Sequence, residues 1–167
     1  LQKGMAMVNF KNFRGTVSQI NDFASGQNGE GCFKIMSVQD ELGNIVNFIV
    51  SPTTYFSNYE IVNVGDVITG YYDGDAPAPL IFPPQYQALI IVKEHSYQNV
   101  KVDFFNGQLV SSDGQLKLNL TANTPIMLTN GQTFSSFPGN RNLIVTYGPT
   151  TRSIPAQTTP YKIIVWC

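Results

Sequence analysis

Charge is scarce in this 167-residue sequence: 10 Lys and Arg stand against 11 Asp and Glu, and only 13% of residues are charged. A chain with a net charge of −1 has no long-range field to draw in a polyanion, which argues against nucleic acid as a partner. Histidine is rarer still. His95 is the only one, and Cys32 and Cys167 are the only cysteines. Any Ser or Cys nucleophile would need this one imidazole as its base, and a structural zinc site wants four Cys or His ligands where three exist. His95 lies beside Glu94 and Ser96, where a solvated polar residue is expected. Also missing is any run of ~18 uninterrupted apolar residues, so no membrane insertion is expected.

The remaining chemistry is thin. Asp73-Gly74-Asp75 offers carboxylates, as does Asp113, but the run continues into Ala76-Pro77-Ala78-Pro79 where a calcium loop would continue with acidic ligands. It reads as a β-turn. Gly26 and Gly29-Glu30-Gly31 have no Gly-Lys-Ser/Thr behind them and read as hairpin flexibility, not a phosphate cradle. Paired carboxylates of the glycosidase type assemble in space, and no pair is nominated by the sequence. No catalytic residue, metal or cofactor is expected, and the chain reads as non-enzymatic.

What is present is apolar surface in the right pattern. Hydrophobic residues make up 43% of the chain, enough for a real core. Alternation with period two recurs between turn signals, and no segment holds a clean 3.6 period, which predicts an all-β fold. The plainest strand is Leu116-Lys117-Leu118-Asn119-Leu120, with leucines on one face. Residues 13–20, 33–38, 45–50, 67–72, 86–93, 100–105, 143–147 and 161–166 read the same way. Gly43-Asn44, Asp73-Gly74, Asn106-Gly107, Asp113-Gly114 and Asn130-Gly131 supply residues that tolerate positive φ at reversals.

The order of features in residues 13–94 returns in residues 99–167, as an internal duplication would make it. Val17 aligns with Val102. Ser51-Pro52-Thr53 aligns with Ala122-Asn123-Thr124, and Val67-Ile68-Thr69 with Leu143-Ile144-Val145. A Pro-containing passage follows in each half, 73–84 and 149–160, before a last strand. The predicted domains are therefore 1–95 and 96–167, each with about five strands and a short link after the third, residues 57–63 in the first half. This pattern resembles the OB-fold, a five-stranded Greek-key barrel, over nearly the whole chain. Ser51-Pro52-Thr53-Thr54-Tyr55-Phe56 and the stretch 147–160, Tyr-Gly-Pro-Thr-Thr-Arg-Ser-Ile-Pro-Ala-Gln-Thr-Thr-Pro, are also similar to uncharacterised small proteins of spore-forming clostridia. That resemblance implies a Gram-positive source and display on a cell or spore surface, and transfers no activity to particular residues.

Aromatic and apolar residues are the binding candidates. Tyr55, Phe56 and Tyr59 lie near the end of the third strand. Tyr71 and Tyr72 are adjacent in the next, so one should face inward and the other outward. An exposed Tyr suits a sugar or another protein, and packing at a barrel end is the alternative role. In 76–84, Pro77, Pro79, Pro83 and Pro84 interrupt Leu80, Ile81 and Phe82, apolar residues that a solvent loop does not need. They predict burial between the two barrels or a contact between molecules. Cys32 and Cys167 are candidates for a disulfide within the chain, a link between chains, or free thiols. Leu1 in place of Met leads us to expect a chain that is processed, trimmed or only part of a longer one. The chain reads first as an extracellular or surface protein that self-associates, as a fibre or coat subunit would. The alternative is a monomeric module that binds glycan or protein through outward Tyr residues.

Overall fold

The computed structural model describes residues 7–23 and 31–167. Gly26, Gly29 and Glu30 lie outside the described residues. The chain is all-β, in several sheets, and divides into two compact units. Asn9–Glu94 forms one; His95–Cys167 forms the other together with Met7 and Val8.

The first unit holds β1 (Phe10–Asp22), β2 (Lys34–Gln39), β3 (Ile45–Val50), β4 (Tyr55–Phe56), β5 (Val67–Asp73), β6 (Gln85–Gln87) and β7 (Ile90–Lys93). The order across its sheet is β4-β7-β5-β1-β2-β3-β6. β1 is long enough to serve two partners. It pairs with β5 from Phe10 to Thr16 and with β2 from Thr16 to Asp22, with a register shift between Val17 and Gln19 where it changes partner. Alternation puts Val17, Met36, Val38, Val46, Phe48, Val50 and Ile68 on one inner face, where they pack with Ala88 and Ile91.

The second unit holds β8 (Asn99–Phe105), β9 (Leu116–Leu118), β10 (Ile126–Leu128), β11 (Arg141–Tyr147), β12 (Ala156–Thr158) and β13 (Lys162–Val165). Its larger sheet runs β10-β13-β11-β8, and β12 lies parallel to β9. Bridges from Phe105 to Ser111 and from Val110 to Lys117 carry the pairing from β8 across to β9. The full order is then the same as in the first unit, with residues 110–111 standing where β2 stands. Phe105, Leu109, Leu116, Leu118, Leu143, Val145, Ile163 and Val165 form its core.

Several details differ from the sequence reading. Residues 86–93 are two strands because their start pairs parallel to β3 and their end antiparallel to β5. The change of partner falls at Ala88, whose N–H donates to Ile49 O, and Leu89, whose N–H donates to Tyr71 O. The residue equivalences between the halves also shift. Thr54 and Thr124 close matching turns, each N–H donating to the carbonyl three residues back, Ser51 and Thr121, and each hydroxyl accepting from that residue's N–H. Thr121 rather than Ala122 is thus the counterpart of Ser51. By facing the core next to equivalent pairings, Phe105 matches Val17 and Leu143 matches Ile68. A slip of one residue turns a strand over, and composition alone did not fix the face. Of the five expected reversals, only Gly43, Gly114 and Gly131 take positive φ; after Asn106 that role falls to Leu109.

Candidate functional site

The loop between β5 and β6 is anchored at both ends and apolar in the middle. At its start the Asp73 carboxylate accepts from the Asp75 N–H at 2.9 Å, and Asn9 Nδ2 donates to Asp75 Oδ1 at 3.0 Å. Both aspartates are therefore spent on the turn and on tying it to the beginning of β1. At its end Pro84 O accepts from the Asn47 N–H at 2.9 Å, which delivers the chain to β3. From Pro77 to the Pro84 anchor, four prolines remove backbone donors and stiffen the path. Leu80 is 103% exposed, Ile81 53% and Phe82 91%. None of the three packs into the core of its own unit.

Beneath the loop, Tyr72 stacks on Tyr86 with ring centroids 3.8 Å apart and planes 4° from parallel, and Tyr72 tilts against Phe48 at 6.2 Å. Tyr72 is thus the inward member of its pair. A small cavity of about 50 Å³ lies between this stack and Ala76–Ala78. Burial, followed by the hydrogen bond with Tyr86, pushes the Tyr72 hydroxyl up to about 12. An unfolded tyrosine titrates near 10, so the folded chain holds this proton more tightly. The resulting stabilisation is complete below pH 10 and is lost as the pH rises from 10 towards 12. A phenolate absorbance titration of wild type and Tyr72→Phe is expected to show one late-titrating group in the former that the latter lacks.

The other tyrosines separate by exposure. Tyr55 and Tyr71 are only 7% and 8% exposed, so neither offers a ring to a ligand, and the outward role expected at 71 or 72 is filled by neither. Tyr59 is 62% exposed and meets Tyr55 edge-on at 5.7 Å, placed by the 3-10 turn Ser57–Tyr59. Burial, with Tyr59 nearby, raises the Tyr55 hydroxyl above its ordinary value.

A second apolar feature escaped the sequence reading. Ile20, Met36, Val50, Phe56, Ile61 and Val62 line a groove of about 280 Å³ in the first unit, with Lys34 and Glu60 beside them. Its outer wall is the segment 57–63, expected as a plain link, where Ile61 is 78% exposed. The signal was there in Ile61-Val62-Asn63-Val64, more apolar than a link requires. A larger depression of about 440 Å³ over Gly15 is polar, and two of its three charged groups are engaged: Arg14 faces Glu94 at 3.8 Å, and the Asp40 carboxylate accepts from Leu42 and Asn44 in its own turn.

The remaining candidates stay apart. His95 stacks on Tyr97 at 4.9 Å. Burial pushes the Asp113 carboxyl up, but bonds from Lys101, Ser111 and the Gln115 N–H outweigh it and hold the group below its ordinary value. Asp113 thereby ties β8 to the turn before β9. Cys32 lies in the first unit and Cys167 in the second, and both are exposed. Among the described residues no three His, Cys, Asp or Glu side chains cluster to hold a metal, and no helix is long and apolar enough to cross a membrane. Compared with known proteins, the chain matches no family model, no curated protein and no solved structure.

Proposed function

We propose that this is a non-enzymatic surface protein, outside the cell or on a cell or spore, that self-associates through the loop carrying Leu80, Ile81 and Phe82. The observation that carries the reading is their exposure: three consecutive large apolar side chains stand in solvent on a loop fixed at both ends. Patches of this kind mark interaction sites, because water ordered or displaced around them is released on contact. Proline stiffening lowers the entropy lost when the loop is immobilised.

The scaffold in this proposal is a pair of OB-like barrels descended from one duplicated unit. Its support is the shared pairing order, together with residues 85–93, which pair with β3 at their start and β5 at their end so that one segment serves both ends of the sheet. The alternative glycan-binding reading keeps only Tyr59 of its original tyrosines, and the loop is the better supported surface.

Sedimentation velocity over a range of concentrations tests this reading. Wild type is expected to shift to faster species as concentration rises, with and without reductant, so that Cys167 is not needed. Leu80→Ser/Phe82→Ser is expected to stay monomeric at every concentration. Wild type that remains monomeric, or a double variant that associates equally well, overturns the proposal.

A further inference from the structure

We propose that the exposed loop of one molecule seats in the apolar groove of a second copy, so that molecules join head to tail. This inference rests on the self-association reading and names the acceptor. The loop and the groove belong to the same unit but lie at opposite ends of its sheet. β6 runs parallel to β3, and its first residue, Gln85, pairs with Asn47. The loop therefore lies beyond the Asn47 end of β3, whereas the groove is lined by Val50 at the other end. Along β1 the separation is greater: Asp73, at the root of the loop, pairs with Phe10, and the groove begins at Ile20, roughly 30 Å of strand away.

The two surfaces suit each other in size and polarity. Pockets for drug-sized ligands run ~300–1,000 Å³, and a groove of about 280 Å³ lies just below that range. One or two side chains such as Phe82 and Leu80 are an appropriate filling. Seating one or two side chains would bury an area at or below the ~1,200 Å² at which the range of specific interfaces begins. That is the low end for specific interfaces, and it predicts reversible, concentration-dependent association instead of a permanent dimer. A contact between different surfaces repeats without closing unless the rotation happens to form a ring, so the expected product is a chain of molecules.

The test uses complementary variants in sedimentation velocity. Leu80→Ser/Phe82→Ser removes the inserting loop. Ile61→Arg, or Ile61→Glu with the opposite charge, blocks the groove at an exposed position, and circular dichroism is expected to show both variants folded. Each variant alone is expected to be monomeric. An equimolar mixture of the loop variant with either groove variant is expected to give a heterodimer and nothing larger, since each chain retains one complementary surface. If both Ile61 variants self-associate like wild type while the loop variant does not, self-association stands and the groove assignment falls. A mixture that stays monomeric also overturns the groove assignment, and a loop variant that associates like wild type overturns both.

Discussion

Replacing Phe48 with Ala is expected to destabilise the first unit by about 3–5 kcal/mol, a large part of the ~5–15 kcal/mol that holds a typical domain together. Phe48 is fully buried, and two of the neighbours around the void are constrained. On one side lies the backbone of β5 at Gly70, which has no side chain to offer. On another, Tyr72 is already committed to its stack on Tyr86. The vacancy therefore collapses poorly, and the loss approaches the upper end of the range for aromatic truncations. The effect should extend to the candidate site, because Tyr72 rests on Phe48 at 6.2 Å and forms the floor beneath the exposed loop. Urea unfolding followed by far-UV circular dichroism is the measurement, with Tyr97→Ala at a 69% exposed position as the control. Similar unfolding midpoints for the two variants would remove Phe48 from the centre of this core.

Most strands were legible in the sequence because period two survives wherever one face is buried. β3 matches its expected bounds, and the leucines of residues 116–120 face the second core as alternation required. The short strands were not legible. β4 has two residues, too few for any periodicity, and β12 lies between Pro155 and Pro160, which argued for a loop. These strands exist because distant partners supply hydrogen bonds: Ile90 and Ile91 for β4, and Leu116 to Leu118 for β12. The site was legible to a similar degree. Leu80, Ile81 and Phe82 stood out as apolar residues among prolines, but their exposure depended on whether another element covers them, which no local pattern encodes. The groove was hidden for the opposite reason. Its lining comes from five separated segments, and only folding puts Ile20, Val50 and Ile61 side by side.

Two glycines in the first unit separate a contact that can yield from one that cannot. A Cβ at Gly70 would lie 2.5 Å from Cε2 and Cζ of Phe48, and a Cβ at Gly15 would lie 2.4 Å from the carbonyl oxygen of Gln39. Both distances are far inside van der Waals contact, so Gly70→Ala and Gly15→Ala are each expected to destabilise by about 1–3 kcal/mol or more. Their response to a second substitution differs. Phe48→Leu shortens the side chain that opposes position 70, so Gly70→Ala should cost much less in the Phe48→Leu background. A double-mutant cycle then gives a coupling energy on the order of 1–3 kcal/mol, with the pair more stable than the sum of the single changes predicts. At Gly15 the obstacle is main chain, held at the end of β2 where Thr16 pairs with Gln39 and the Asp40 turn begins. Shifting it would pull β1 and β2 apart, and shortening Phe48 provides no room there. Gly15→Ala and Phe48→Leu are accordingly expected to add within ~0.5 kcal/mol. Urea midpoints of the five variants decide the matter: additivity at position 70, or strong coupling at position 15, would contradict the packing described around Phe48.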